Sequence, residues 1–505
     1  MSAQPTAPTP GDQPIASTAS GPVQGSRIGG VLAFKGIPYA APPFGELRFQ
    51  PQAPHEPWTQ PRPATEYGAT VPKPPYPAPV DDLLPEPVIA GDDCLNLNVW
   101  TPGLEGSRPV MVWIHGGAFV NGSGAVPQYD GTAFARDGVV LVTVNYRLGV
   151  DGFGALDGVI ANRGLLDQVA ALEWVRDNIA QFGGDPGQVT IFGESAGAMS
   201  VITLVAMPRA RGLFHRAITQ SGGDSYVLSE PTAQRVTAAL AERLGIAPNA
   251  EAFAAVPLDA LSREQAALSR LIATTPDPAR WGEITLNAMM LEPVVDGDVL
   301  PQVPIDAIRA GAAAGVDLLT GTTAEEQRLF FVPSGLVDLV NDLLVGMMVA
   351  AYGMPAEQTL STYRSARPGA SPGEVLMALS TDWFFRIPSI RLAEAVLAQG
   401  QRAWMYEFAW PSPSYDGRLG ACHSLEIPFV FDTLRTEGVA ATVGPEPPQQ
   451  IADEMHAAWV AFASTGDPGW VPYDTAERPV MTFDATSTLV NDPRTAERQI
   501  WGGHR

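Results

Sequence analysis

A serine in a glycine-rich turn is the first residue of this chain that could do chemistry. The β-branched run VTIF (189–192) leads into GESAG (193–197) and then into the helix-forming sequence AMSVIT (198–203). G-x-S-x-G between a strand and a helix is typical of a nucleophile elbow, in which a strained turn exposes the serine oxygen. Backbone N–H groups at the start of the helix favour developing negative charge. We therefore predict that Ser195 is a nucleophile.

A second glycine-rich turn could supply the oxyanion hole that such a nucleophile needs. It reads HGGAF (115–119) and follows the continuous apolar run VMVWI (110–114), which is typical of a parallel strand buried on both faces. Together with the N–H of Ala196, the N–H groups of Gly116 and Gly117 would then hold the oxyanion of a tetrahedral intermediate. A simple tight loop is the alternative interpretation.

The general base should be a histidine, because an unperturbed imidazole both accepts and donates a proton near neutral pH. Five of the six histidines lie near the chain ends, in the HGG turn or in apolar, helical-looking stretches; these are His55, His504, His115, His215 and His456. The remaining one is His423, in the loop sequence GACHSLEIPF (420–429). We therefore expect His423 to be the base, with an apparent pKa of about 6 to 7 in the pH dependence of kcat/KM.

An acidic residue must orient the imidazole, and in α/β-hydrolases it lies between the serine and the histidine in the chain. The best candidate segment is TGTTAEEQ (320–327), which follows the apolar run VDLL (316–319). A strand followed by a turn with acids suits this role. The residues alone do not choose between Glu325 and Glu326.

The elements that must position these residues indicate the fold class. Apolar residues recur at helical spacing from 165 to 179, and GGDP (183–186) ends that helix before the strand at 189. Such alternation predicts an α/β fold with a large, mostly parallel sheet and helices on both faces. We expect one catalytic domain over residues 21–505, with helical insertions over the active site at about 229–281 and 336–397.

Composition and charge argue against several other classes of function. The formal net charge of −23 disfavours binding to nucleic acids. The sequence has no run of about eighteen apolar residues that could span a membrane, and no histidine or cysteine spacing typical of a metal site. We therefore expect no metal, no cofactor, no membrane association and no nucleic-acid partner.

The N-terminal segment and the cysteines bear on the compartment. Residues 1–20 are polar and rich in proline, so we expect a disordered tail and not a signal peptide. Cys94 and Cys422 are the only cysteines. A reduced, cytoplasmic protein is the simplest interpretation.

Taken together, these motifs resemble those of the type B carboxylesterases, the family of bacterial para-nitrobenzyl esterases, animal carboxylesterases and cholinesterases. The resemblance covers nearly the whole chain. Beyond the two glycine-rich turns it is carried by FKGIPYA (34–40), LRF (47–49), DCLNLNV (93–99), NYRLG (145–149), GLLDQ (164–168), FGGDP (182–186), QSG (220–222), WVAFA (459–463) and GDP (466–468).

The resemblance implies a role for each candidate residue. Ser195 and His423 would be nucleophile and base, and the oxyanion donors would be the three named above. Aligning TTxxExxLFF with the family pattern places the acid at Glu326, although this chain has Gln327 where the family commonly has glycine. Ser221 would either hydrogen-bond behind the triad or simply pack there.

The resemblance also suggests where the substrate binds. Phe119 follows the oxyanion glycines, and the segment of Trp383, Phe384 and Phe385 resembles the aromatic lining of the family's pocket, although these aromatic residues could equally be core residues. The segment 71–92 stands where cholinesterases carry a tryptophan, and it contains none. We therefore expect bulky apolar ester groups near Ser195 and no choline site.

These observations predict a serine hydrolase that cleaves small carboxylic esters through an acyl-enzyme. An amidase or a carbamate hydrolase would use the same machinery. A binding or adhesion protein of this fold is a further alternative, but such proteins have lost the nucleophile, which this chain retains.

Overall fold

The computed structural model describes residues 13–223 and 226–504, which contain sixteen strands and nineteen α-helices. The strands are β1 (Ile15–Thr18), β2 (Gly21–Gln24), β3 (Ser26–Ile28), β4 (Val31–Pro38), β5 (Arg62–Pro63), β6 (Asn96–Thr101), β7 (Arg108–Ile114), β8 (Val140–Val144), β9 (Gly184–Glu194), β10 (Arg216–Gln220), β11 (Leu228–Ser229), β12 (Val294–Val295), β13 (Asp317–Thr323), β14 (Ala403–Phe408), β15 (Pro479–Phe483) and β16 (Thr488–Asn491).

The helices range from single turns to seventeen residues. They are α1 (Thr132–Arg136), α2 (Gly149–Phe153), α3 (Arg163–Asn178), α4 (Ala196–Ala206), α5 (Glu230–Leu244), α6 (Ala250–Ala254), α7 (Leu258–Thr274), α8 (Pro278–Trp281), α9 (Ile284–Asn287), α10 (Pro304–Arg309), α11 (Arg328–Phe331), α12 (Asp342–Ala351), α13 (Ala356–Ala366), α14 (Pro372–Thr381), α15 (Ile387–Ala398), α16 (Ile427–Val430), α17 (Ala440–Val443), α18 (Gln449–Thr465) and α19 (Thr495–Ile500). None of the helices in the described ranges is both long and apolar enough to cross a membrane.

One large sheet organises the molecule. Its eleven strands run in the order β16-β15-β14-β13-β10-β9-β7-β8-β6-β4-β3. The central strands from β15 to β8 are parallel to one another, whereas β16 on one side and β6, β4 and β3 on the other pair antiparallel. The α/β class with a mostly parallel sheet is therefore confirmed.

The two faces of the sheet pack against separate apolar cores. Along β7, Val110, Val112 and Ile114 belong to one core, while Met111 and Trp113 belong to the other. Residues of α3, α4 and α15 complete the first core, and residues of α18 complete the second. This alternation explains why the run VMVWI is continuously apolar, since a strand covered on both faces has no solvent side.

The prediction of a disordered tail over residues 1–20 is wrong for residues 13–20. Residues 1–12 lie outside the described ranges, but β1 pairs antiparallel with β2, and Ala16 and Val23 pair across this hairpin as buried residues. The Thr18 hydroxyl donates to the Gly21 carbonyl and closes the turn. A polar composition favours disorder in general. Here every second side chain of a short hairpin, such as Ala16 and Val23, packs against the core of the domain.

The topology brings the predicted functional residues to one edge. Strands β7, β9, β10, β13 and β14 are parallel, so their carboxyl ends meet on the same side of the sheet. The segments that follow four of them carry the HGG turn, Ser195, Ser221 and the acids near 325. Ligand sites of open α/β sheets form at this edge.

Candidate active site

Ser195 occupies a strained turn between β9 and α4. Its φ is 55° and its ψ is −126°, a backbone conformation that residues other than glycine rarely adopt. The Ser195 N–H donates to the Gln220 carbonyl at the end of the neighbouring β10 (2.9 Å), which fixes the turn to the sheet. The serine therefore stands at the N-terminus of α4, as the elbow motif predicts.

The two glycines of GESAG are required by close backbone contacts. A Cβ atom on Gly193 would lie 2.6 Å from the Ile114 carbonyl oxygen at the end of β7 and 2.6 Å from the Gly197 carbonyl carbon. A Cβ atom on Gly197 would overlap the same Ile114 oxygen. Any larger residue would push α4 away from β7, so the strand and the helix approach each other only as glycine allows.

The HGG turn lies directly against the elbow. A Cβ atom on Gly116 would lie 3.1 Å from the Cβ of Ser195, and Gly117 has a φ of 112°. Tyr146 holds the turn from behind, because its hydroxyl donates to the His115 carbonyl (2.8 Å) and its ring stacks on the His115 ring at 4.5 Å. The HGG turn and the elbow are therefore direct neighbours at the edge of the sheet.

His423 contacts Glu326 and not Glu325. Its Nδ1 lies 2.6 Å from a Glu326 carboxylate oxygen, and both side chains are almost fully buried. The other Glu326 oxygen accepts the Thr323 N–H at 2.9 Å. The Glu325 carboxylate instead accepts hydrogen bonds from Arg328 (2.7 Å) and from the Ala421 N–H (3.1 Å), and its side chain is 37% exposed. Of the two acids that the residue types left open, Glu326 is the one in contact with the imidazole.

Two further carboxylates surround this pair, and sequence reasoning missed both. Glu194, the variable residue of the elbow motif, lies 3.1 Å from the His423 Nε2 and accepts the Ser424 hydroxyl at 2.6 Å. Glu426 is fully buried and accepts the Gln220 side-chain amide at 3.1 Å. The proximity of Glu194 to Ser195 and of Glu426 to His423 in the chain was the available signal.

The clustered carboxylates shift the titration of the imidazole. Burial by itself lowers the pKa of His423, but the charges of Glu194 and Glu326 outweigh burial and raise this pKa to about 9. Burial and the charge of Glu326 raise the pKa of Glu194, although His423 and the Ser424 hydroxyl favour its ionised form. Burial, together with Glu194 and Glu326, raises the pKa of Glu426 to about 8. Glu426 is therefore mostly protonated at neutral pH.

Two aromatic rings pack against the imidazole. The centroids of Phe330 and Phe385 lie 5.4 Å and 4.9 Å from that of His423. Phe385 belongs to a π-helical turn, Asp382–Arg386, whose two ends are joined by a buried ion pair with an N–O distance of 2.7 Å. A π turn adds a residue to the helix and re-aims the side chains that it carries. Phe385 belongs to the aromatic segment 383–385 that the sequence resemblance indicated, whereas Phe330 was not predicted.

The three predicted pocket aromatics have different surroundings. Phe119 is fully buried against Phe153, with 4.8 Å between ring centroids, so of the two places considered for it the structure shows the core. Trp383 stacks on Tyr352 and is 7% exposed. Phe384 is half-buried and stacks on Tyr226 at 4.5 Å. The aromatic segment reaches His423 through Phe385, the neighbour of the two predicted residues.

Ser221 is positioned through its backbone. It is fully buried, has a φ of 52°, and its N–H donates to the Gly321 carbonyl at 2.8 Å. Its hydroxyl has no hydrogen-bond partner among the residues that the structure describes. Of the two roles considered, the structure therefore shows packing and does not show the hydrogen bond behind the triad.

The sheet topology and the strained elbow are those of an α/β-hydrolase. Comparison with known proteins makes this assignment more specific. The family model described as "Carboxylesterase family" matches residues 12–501. The chain therefore belongs to the carboxylesterase family, whose members hydrolyse carboxylic esters.

Individual relatives match over 90% or more of both chains. The chain is 38% identical to the para-nitrobenzyl esterase of Bacillus subtilis, covering 96% of this chain and 98% of the relative. It is also 38% identical to the phenmedipham hydrolase of Pseudarthrobacter oxydans, over 90% and 91% of the two chains. A crystal structure of a Geobacillus stearothermophilus carboxylesterase superposes with a TM-score of 0.84 and 38% identity, over 96% of this chain and 99% of that one.

The raised pKa of His423 predicts an alkaline shift of activity. Because the imidazole must be neutral to accept a proton, kcat/KM should rise with pH through an apparent pKa well above the value of about 6 to 7 expected for an unperturbed histidine. Glu194→Gln removes one of the charges that raise this pKa, so the profile should move to lower pH. The measurement is kcat/KM from pH 5 to 10, with Glu325→Gln as the matched control. A profile centred near 6.5 in both wild type and Glu194→Gln would contradict this electrostatic account.

Proposed function

We propose that the chain hydrolyses esters through an acyl-enzyme on Ser195, with His423 as the base and Glu326 as the acid. The observation that carries this proposal is the buried contact between His423 Nδ1 and Glu326 (2.6 Å) at the sheet edge that also presents the elbow. Glu326 orients the ring and stabilises its cation. His423 accepts the Ser195 proton during attack and donates it to the leaving alcohol. A water molecule, deprotonated by His423, then attacks the acyl-enzyme; the carboxylic acid is released and Ser195 regains its proton.

The charge that develops on the carbonyl oxygen needs donors beside Ser195. We assign this role to the N–H groups of Gly116, Gly117 and Ala196, which come from the HGG turn and from the first residue of α4. Every step uses groups of the chain itself and the ester, so the proposed mechanism requires neither a metal nor a cofactor. One family model spans residues 12–501, which supports one catalytic domain over 21–505.

The preferred substrates are small esters with an aryl or benzyl group. Support comes from the aromatic side chains next to the imidazole, Phe330 and Phe385, and from the similarity to a para-nitrobenzyl esterase. Amide or carbamate hydrolysis would use the same residues, and the similarity to a phenmedipham hydrolase is compatible with it. A cytoplasmic location is consistent with Cys94 and Cys422, which are both free, buried thiols.

Ser195 should be the only residue that carries the acyl group. A labelled organophosphate should give one adduct, on the peptide that contains Ser195, in proportion to the activity lost. Peptide mass mapping makes the measurement, and Ser195→Ala should be neither labelled nor active. Full inactivation with the adduct on Cys422 or Ser221 would refute the assignment.

The two neighbouring glutamates should differ sharply in their contribution. Glu326→Gln should lower kcat by as much as about 10⁴-fold, because the amide cannot stabilise the imidazolium and favours the wrong tautomer. Glu325→Gln should change kcat little, because that side chain contacts Arg328 and not His423. Steady-state kinetics on both folded variants, checked by circular dichroism, make the comparison. The reverse ranking would move the acid to Glu325.

Aryl and benzyl esters of short acids should have higher kcat/KM than choline esters and emulsified long-chain triglycerides. The segment 71–92 contains no tryptophan that could bind a quaternary ammonium, and the aromatic rings favour flat apolar groups. Initial rates on phenyl acetate, benzyl acetate, acetylcholine and triolein test this order. Equal or faster turnover of acetylcholine or triolein would show that the pocket is different.

A further inference from the structure

A buried lysine anchors the segment 71–92 to the body of the protein. Lys73 is one of only two lysines in the sequence, and its side chain is 2% exposed. Its Nζ lies 2.8 Å from a Glu86 carboxylate oxygen, and Nζ also donates to the Gly122 carbonyl at 3.0 Å. Long charged side chains are rarely buried unless they are paired. The Glu86 carboxylate and the Gly122 carbonyl therefore stabilise the buried ammonium group of Lys73.

Glu86 binds the same short stretch from the other end of the segment. Its second carboxylate oxygen accepts the Asn121 side-chain amide and the Gly122 N–H, each at 3.3 Å. The Asn121 amide also donates to the Pro74 carbonyl at 2.6 Å. The chain before and after the loop 74–85 is therefore fixed to residues 121–122 through one ion pair. Cys94, which follows the segment, is a free thiol, so no disulfide closes the loop.

Residues 121–122 in turn fix the HGG turn. The N–H groups of Val120 and Asn121 both donate to the Gly117 carbonyl, at 3.0 Å and 2.8 Å. The contact is also steric, because a Cβ atom on Gly117 would overlap the Asn121 carbonyl and one on Gly122 would overlap the Gly116 carbonyl. A displacement of Asn121 or Gly122 must therefore displace the two glycines that we assign to the oxyanion hole.

We propose that Lys73 and Glu86 are positioning residues for the oxyanion hole, acting through Asn121 and Gly122. The inference rests on the proposed role of Gly116 and Gly117. Oxyanion donors stabilise charge that develops in the transition state, so a small displacement lowers kcat much more than it weakens substrate binding. The pair thus does more than close the loop 74–85.

Three substitutions test the pair, and the other lysine provides the control. Lys73→Met and Glu86→Gln each remove one charge, and Lys73→Arg keeps the charge and tests rescue. Lys35→Met is matched, because Lys35 is also mostly buried and its Nζ lies 3.9 Å from Asp130. Lys35 is on β4, which is separated by β8 and β6 from β7, the strand that leads into the HGG turn. An organophosphate titration of Ser195 counts competent sites, so kcat is expressed per titrated site and partial misfolding does not affect it.

We expect kcat per site to fall about tenfold or more in Lys73→Met and Glu86→Gln, towards the loss of about 10²- to 10³-fold seen when an oxyanion donor is removed. KM should change less than about twofold. Affinity for an aryl trifluoromethyl ketone, whose serine adduct carries an oxyanion, should fall in parallel with kcat. Lys73→Arg should recover most of the loss, and Lys35→Met should resemble the wild type.

Two results would overturn the inference. A raised KM with unchanged kcat would show that the pair only shapes the substrate pocket, and wild-type values for both parameters would show that it is not coupled to the turn. Should Lys73→Met fail to fold, Glu86→Gln decides, because the amide keeps the shape and still accepts hydrogen bonds. Failure of the proposed function looks different, because the wild type itself would then show neither ester hydrolysis nor an adduct on Ser195.

Discussion

The close approach of β7, β9 and α4 is the constraint on which the active site depends. Both glycines of GESAG lie against the Ile114 carbonyl, so the elbow, the start of α4 and the HGG turn are compressed into one small volume. The strained φ of Ser195 follows from this compression, since the chain must reverse between a strand and a helix without room for a wider turn. The bond from the Ser195 N–H to the Gln220 carbonyl then holds the strained residue to the sheet.

Electrostatics set the second constraint, because three buried carboxylates surround one imidazole. Fully ionised, Glu194, Glu326 and Glu426 would repel one another strongly in a medium of low polarity. The structure relieves this repulsion by raising the pKa of Glu426 to about 8 and by pairing the other two with His423. In the proposed mechanism, the same arrangement would stabilise the imidazolium that forms during attack. It also keeps the His423 imidazole of the free enzyme protonated up to a higher pH. A smaller fraction of the enzyme therefore has a neutral imidazole that can accept a proton.

Local signals in the sequence were sufficient for the elbow, the HGG turn and the sheet, because glycine patterns and apolar runs report backbone geometry directly. The choice of Glu326 over Glu325 required alignment with the family pattern, because both residues are glutamates and differ only in the direction of their side chains. Phe385 could not be separated from Phe384, because a π turn changes which residues of a helix face the site. The β1 hairpin was missed because its stability comes from packing on the domain and not from its own polar sequence.

The residues of the candidate site lie on segments that are distant in the chain, and the sheet determines the relative positions of most of them. Thr323 at the end of β13 donates its N–H to Glu326, and Gln220 at the end of β10 contacts both Ser195 and Glu426. Hydrogen bonds therefore hold Ser195, Glu326 and Glu426 to the ends of central strands. The spacing between neighbouring strands varies little, so the distances between these residues are well defined. The segment 71–92 is the exception, because it reaches the site from outside the sheet. It needs side-chain interactions to achieve comparable precision, and the buried pair of Lys73 and Glu86 supplies them.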